Sequence, residues 1–517
     1  MVLCKKRLLF IPRICYTIHI IRRRVDDWAD GPLRCAFYRR PLKIERDGVF
    51  CLYGRKCDGG LGVHIAKVCG VLHLEEIMSI LRSFIKYASL NMLAMMSVSA
   101  FFLVDTFFVA QGLGANGLTA LNLALPIYNV IHGIALMLGV GSGAYFSRLQ
   151  GRAQGGLESR EEVQKKANKL FGRTLQLTFA FATLFFVIGL FFIDPLTRLL
   201  GADDAVFADT KVYAQVLFLF APVSMLGDVI QCYVQNDNDP RRAMWGTVSA
   251  SMFNIVFDYV FIFPMKMGMF GAVLATSLAP IVSMLVMAPH WKHTKLRPVK
   301  VRPSWTMIKT TFSLGLPSFI TELSSGIVII VFNLIILGIS GNIGVAAYGV
   351  VANISLVMAA LFTGLAQGMQ PLVSQAYGAR NAGNIHRLLK YGVVSVILMS
   401  AVMYAILFLW TDPIAAVFNS ENSSQLQTIA VEGVRLYFTA LPFMGFNIIM
   451  AIFFAAINRP MPAQAVSLMR GLFVLIPAAF IMAKLWSMPG VWLSFTVTEF
   501  VVTVTAVIMM GVPKMKK

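Results

Sequence analysis

From Met78 onward the chain alternates long apolar runs with short polar breaks. Each run approaches or exceeds the ~20 residues that an α-helix needs to cross the hydrocarbon core of a bilayer. Twelve such spans are counted, near residues 80–110, 118–147, 170–193, 208–235, 242–264, 270–290, 311–338, 345–377, 388–410, 428–456, 463–484 and 489–511. The pattern predicts an all-α integral membrane protein with twelve transmembrane helices.

Composition agrees. Of 517 residues, 57% are hydrophobic and only 14% charged, against ~25% charged in soluble domains. The net charge of +20 then reads as topology, and nucleic-acid binding is not implied. The even-numbered loops and the C-terminus hold 22 Lys and Arg, including the run from Trp291 to Trp305. The odd-numbered loops hold Arg198, Lys211, Lys266, Arg435 and Lys484. By the positive-inside rule both termini are expected in the cytoplasm. Eleven or thirteen spans would scramble this sorting.

Residues 1–77 differ from the rest. They carry 15 Lys and Arg and six of the seven Cys. Their most apolar run, Leu8 to Ile21, is broken by Pro12 and Arg13 and makes a poor signal peptide. The cysteines are not in C-x₂-C pairs, so neither a zinc site at Cys51, Cys57, His64 and Cys69 nor a disulfide domain is favoured. Residues 1–77 are expected to be a non-native or disordered extension, with Met78 opening the working chain.

The halves of the chain repeat. Gly114, Gly117, Ala120, Gly141, Ser147 and Gly151 recur 227 residues on as Gly341, Gly344, Ala347, Gly368, Ser374 and Gly378. Pro222 and Pro240 recur as Pro442 and Pro460. Each repeat holds six spans, so both enter the membrane from one side. Two six-helix lobes related by a pseudo-two-fold axis along the membrane normal are expected, residues 78–290 and 310–517, joined by a cytoplasmic linker at 291–309. Such proteins bind substrate between lobes and work by alternating access.

Polar residues inside spans carry the chemistry. The stretch from Arg242 to Pro280 holds Asn254 and Asp258, four apart on one helix face, and then Thr276. A carboxylate in hydrocarbon costs at least ~2.5–3.5 kcal/mol, so an intramembrane Asp is a functional candidate.

The segment PLVSQAYGARNAGNIHRL, its weaker copy GSGAYFSRLQGRAQ, LVDTFFVAQGLGANGLTALNLALPI and NIVFDYVFIFPMKMGMFGAVLAT together resemble the MATE family of multidrug and toxic compound extrusion transporters, in particular its prokaryotic DinF-like branch. The resemblance covers about Ser83 to Gly511. It implies a cation-coupling cluster at Asp105, Asn254, Asp258 and Thr276, taking H⁺ or Na⁺. Counting residues supports the grouping. Asp105, Asp258 and Thr276 each lie about six residues from the outer end of their helices, roughly 9 Å deep at 1.5 Å per residue. Two carboxylates at one site make a proton acceptor, and with the Asn and Thr oxygens they could instead ligate Na⁺. The C-terminal counterpart of Asp105 is Phe332, so coupling in one lobe is expected.

Glu322 and Glu499 lie near the midplane of spans 7 and 12 and are candidates for a substrate or second cation site. The resemblance adds that some family members use a helix-7 Glu in this way. Asp228 is expected at the cytoplasmic interface. His132 is expected to be a hydrogen-bonded packing residue, and Arg470 to partner an unspecified acid. The 28 Met and 39 Phe suit an adaptable apolar cavity for planar cations. No G-x-x-x-x-G-K-S/T, H-E-x-x-H or G-x-S-x-G occurs, so neither ATP hydrolysis nor enzyme chemistry is indicated. The reading is a plasma-membrane antiporter, monomeric and without cofactor, exchanging amphipathic organic cations for H⁺ or Na⁺. The alternative is a flippase for a lipid-linked or amphipathic lipid substrate on a related fold.

Overall fold

The computed structural model describes residues 61–302, 304–417 and 423–511, with side chains from Ile77. The expected extension over 1–77 therefore lies outside the described residues as far as residue 60. From Leu61 the backbone is helical.

All regular structure among the described residues is helical. The α-helices are α1 (Leu61–Gln154), α2 (Arg160–Phe191), α3 (Ile193–Leu199), α4 (Phe207–Asn236), α5 (Pro240–Ile262), α6 (Gly268–Met287), α7 (Trp305–Gly378), α8 (Ala382–Leu409), α9 (Thr411–Val417), α10 (Ser424–Tyr437), α11 (Leu441–Ala456), α12 (Pro460–Leu468) and α13 (Leu475–Gly511). A π-helical turn, Met469–Phe473, joins α12 to α13. Among the described residues, ten helices are long and apolar enough to cross a membrane. Two of these, Trp305–Gly378 and Pro460–Gly511, are broken inside, at Gly341 and at Trp486–Ser487. Dividing them there gives the twelve spans.

Local sequence sets the boundaries. Ser159 accepts from the Glu162 amide to open α2, and Asp239 accepts from the Arg242 amide to open α5, with Pro240 in its first turn. These side-chain oxygens satisfy amides that have no partner within the helix. Gly114 and Gly341 turn the chain between spans 1 and 2 and between 7 and 8. Their backbones match, φ 70°, ψ −161° and φ 63°, ψ −156°. That conformation is almost confined to glycine. Asn238 and Asn458, at φ 62° and 60°, are likewise paired two residues before Pro240 and Pro460.

Two cores separate the lobes. One is built from α1, α2, α4, α5 and α6 around Leu121, Phe185, Tyr213, Phe218 and Val273. The other is built from α7, α8, α10, α11 and α13 around Phe332, Phe362, Trp492 and Val502. Phe84 and Ala88, early in α1, pack into the second core.

The seam between lobes repeats the symmetry atom by atom. A Cβ on Gly151 would lie 2.0 Å from the Gln375 carbonyl oxygen, and one on Gly378 would lie 2.1 Å from that of Arg148. Each residue in the first contact is 227 positions from its counterpart in the second. Gly141 meets the Thr311 carbonyl and Gly315 that of Met137. Glutamines fasten the seam: Gln235 Nε2 donates to the Gln367 carbonyl at 2.9 Å, and Gln375 Nε2 to Gln150 Oε1 at 3.2 Å. Close contact thus runs from the end of the bundle that carries the basic loops inward to Met137 and Gly315.

Candidate functional site

Three helices of the N-terminal lobe bring one polar cluster together. Asp105 comes from the first half of α1, Asn254 and Asp258 from α5, and Thr276 from α6. Oriented by its hydrogen bonds, the Asn254 amide donates from Nδ2 to Asp258 Oδ2 at 2.8 Å, and its oxygen accepts from Thr276 Oγ1 at 3.1 Å. The carboxyls of Asp105 and Asp258 are in hydrogen-bond reach of each other. All of the acidic and amide members are buried, with Asp258 at 0% exposure, Asn254 at 1% and Asp105 at 4%. The four residues picked from the sequence thus share one site.

Two features give the cluster an open valence. Asp105 Oδ1 and Asp258 Oδ1 are buried and accept no hydrogen bond. A buried acceptor left unsatisfied costs ~1–3 kcal/mol, and more when charged. Pro280, four residues after Thr276, has no N–H, so the Thr276 carbonyl is released from the helix ladder. An array of carboxylate, amide, hydroxyl and carbonyl oxygens suits a proton or a hard monovalent cation such as Na⁺. No group of three or more His, Cys, Asp or Glu with metal-site geometry occurs among the described residues.

Tyr213 on α4 was missed by sequence reasoning. It is buried, its hydroxyl is within hydrogen-bond reach of Thr276, and both aspartates act on it electrostatically. The signal was available in part: Tyr213 lies early in span 4, at a depth like that of Asp105. In the C-terminal lobe the corresponding space is aromatic. Phe332, 227 residues beyond Asp105, stacks on Tyr348 at 5.4 Å, and Tyr348 on Trp492 at 6.3 Å. Gly433, 220 residues beyond Tyr213, has no side chain and is met by the Trp492 ring.

Glu322 and Glu499 do not form one site. The stem of Glu322, on α7, lies against Gly133 of α1 at the lobe seam. Glu499, on α13, is fully buried in the C-terminal lobe. Its Oε1 accepts from Arg470 Nε at 2.5 Å and its Oε2 from Asn447 Nδ2 at 2.6 Å. Arg470 lies in the π-helical turn, and its acid partner is thereby identified. Asp228 lies two turns from the C-terminal end of α4 and accepts from His132 of α1 at 2.8 Å.

The sequence profile of the MatE family matches twice, over residues 91–260 and 317–481. The chain belongs to this family. Its two matches fall one in each lobe, in register with the internal repeat. MATE proteins are transporters, not enzymes, and this is a multi-pass membrane transporter. It is 23% identical over 395 residues to the multidrug export protein MepA of Staphylococcus saprophyticus, covering 76% of this chain and 84% of that one. It is 23% identical over 410 residues to MepA of Staphylococcus aureus strain MRSA252, covering 78% and 88%. Among solved structures, a MOP superfamily transporter from Pyrococcus furiosus superposes with a TM-score of 0.74 at 23% identity, covering 83% of this chain and 94% of that one. A MATE transporter in complex with MaL6 gives 0.76 at 23%, with the same coverage. These likenesses carry the twelve-helix, two-lobe MATE fold.

Proposed function

We propose that the chain is a multidrug efflux antiporter of the plasma membrane that exchanges amphipathic organic cations for H⁺ or Na⁺. The relatives named as multidrug exporters support the export reading. The observation that carries the coupling reading is the pair of unpartnered, buried carboxylate oxygens of Asp105 and Asp258 within one hydrogen-bonded cluster. With both termini in the cytoplasm, a proton or Na⁺ reaches Asp105, Asn254, Asp258 and Thr276 from outside, with Tyr213 completing the shell. Its binding neutralises charge there and favours one arrangement of the lobes. An ion shifts that equilibrium only by its differential affinity for the two arrangements. Substrate enters between the lobes from the cytoplasmic side, with Glu322 in reach of the seam and Glu499 held in its ion pair as a scaffold for the C-terminal lobe. The protein acts as a monomer and needs no cofactor.

The test is ethidium efflux from everted vesicles under an imposed proton or sodium gradient, comparing wild type with Asp258→Asn. Gradient-driven efflux in the wild type, lost in Asp258→Asn, supports the reading, and the effective gradient names the ion. Unchanged efflux in a well-expressed Asp258→Asn would refute the cluster's role. No wild-type efflux under either gradient would refute the organic-cation reading and favour a lipid substrate.

A further inference from the structure

A second group of titratable side chains meets at the lobe seam, outside the cluster above. His132, in the second half of α1, places Nδ1 2.8 Å from Asp228 Oδ2 of α4. Its ring stacks on Tyr128 one turn earlier, with centroids 5.6 Å apart and planes 16° from parallel. The neighbouring residue, Gly133, has no side chain, and there α7 closes in. A Cβ on Gly133 would lie 3.2 Å from Glu322 Cβ and 3.0 Å from the Phe319 ring. Glu322 is thereby held within electrostatic reach of both His132 and Asp228.

The group is deep in the protein without being sealed. The side chains of His132 and Asp228 retain 28% and 25% of their surface. His132 Nε2 makes no hydrogen bond to any described residue, and the imidazole keeps accessible surface. Tyr128, partly exposed, lies beside it. Two carboxylates, a partly exposed imidazole and an aromatic ring are the elements that recognise a flat cation.

We propose that His132, Asp228 and Glu322 form a binding centre in which the positive group of an organic substrate and a proton on His132 compete for the same two carboxylates. This deepens the antiporter reading and rests on it. Histidine is the side chain whose ordinary titration falls near neutral pH. With an imidazolium the three groups carry one net negative charge, and with a neutral imidazole they carry two. The charged groups acting on His132 are Asp228 from α4 and Glu322 from α7. Tyr128, on its own helix, also faces Asp105, and Cys232 faces Asp228 from α4. When a cation binds, the imidazolium gives its proton to water in the cleft, and the substrate's charge takes its place. Because Asp228 and His132 belong to one lobe and Glu322 to the other, occupancy also depends on how closely the lobes approach. The centre therefore links substrate charge, proton and lobe geometry.

The experiment is fluorescence anisotropy of ethidium with the purified full chain in nanodiscs, from about pH 5.5 to about pH 8.5. Wild-type affinity is expected to fall on acidification, with a limiting slope of about tenfold per pH unit for one proton exchanged per cation. His132→Gln should bind with the slope lost. His132→Lys, with a fixed charge, should bind weakly at every pH. Asp228→Asn should weaken binding about tenfold or more even at alkaline pH. Retention of the slope in His132→Gln would overturn the proposal and leave the efflux reading standing. Should His132→Gln not fold, His132→Lys and Asp228→Asn decide the question by the same readout. A wild type that binds no ethidium at any pH would overturn both readings.

Discussion

The paired glycines of the seam make a quantitative prediction about conformation. A Cβ added at Gly151 would sit 2.0 Å from the carbonyl oxygen of Gln375, and at Gly378 2.1 Å from that of Arg148. Real Cβ contacts begin near 3.0 Å, so either alanine forces the two helices apart by about 1 Å. Both obstacles are backbone atoms, and no flexible side chain can yield. Overpacking of this kind costs ~1–3 kcal/mol, a shift of about 5- to 150-fold away from the arrangement with this end closed. Because the cost falls on one arrangement of the lobes, the protein should repopulate the other instead of unfolding. Spin labels at Arg152→Cys and Arg380→Cys, both exposed at this end, would report it by pulsed dipolar spectroscopy after replacement of the native cysteines. Gly151→Ala and Gly378→Ala should lengthen the distance to a similar degree, since the two contacts are symmetry partners. Gly349→Ala, where nothing lies within 4 Å, is the control and should not. Wild-type distances in both seam variants, with unchanged thermal stability, would refute the argument.

Two further substitutions separate backbone from charge. Gly341→Ala meets no atom within 4 Å but must adopt φ 63°, so it should cost ~1–3 kcal/mol by strain alone, seen as a lower thermal midpoint in detergent, with Gly114→Ala similar. Arg470→Met should cost ~3–5 kcal/mol because it strands the fully buried Glu499, whereas Arg470→Met with Glu499→Leu should recover most of that loss. A double variant no more stable than the single one would show that the ion pair is not the source.

The architecture of this protein could be read from its amino-acid order. A bilayer accepts only helices of sufficient length, so the spans can be counted, and basic loops sort by side. The repeat identified Gly114 and Gly341 as equivalents because a turn at positive φ tolerates almost nothing else. The cluster of Asp105, Asn254, Asp258 and Thr276 was legible through the family resemblance, and depth agreed with it, since the helical rise fixes how far each residue lies from its helix end. What the sequence could not supply is the rotation of each helix about its axis and the neighbour it meets. Those depend on side-chain packing between distant segments, which exists only in the folded chain. Depth alone left Tyr213 unremarked and left Arg470 without its partner Glu499. Folding turns Asp228 toward His132, 96 residues earlier, and carries Glu322 across from the other lobe, because Gly133 leaves room for α7 to approach.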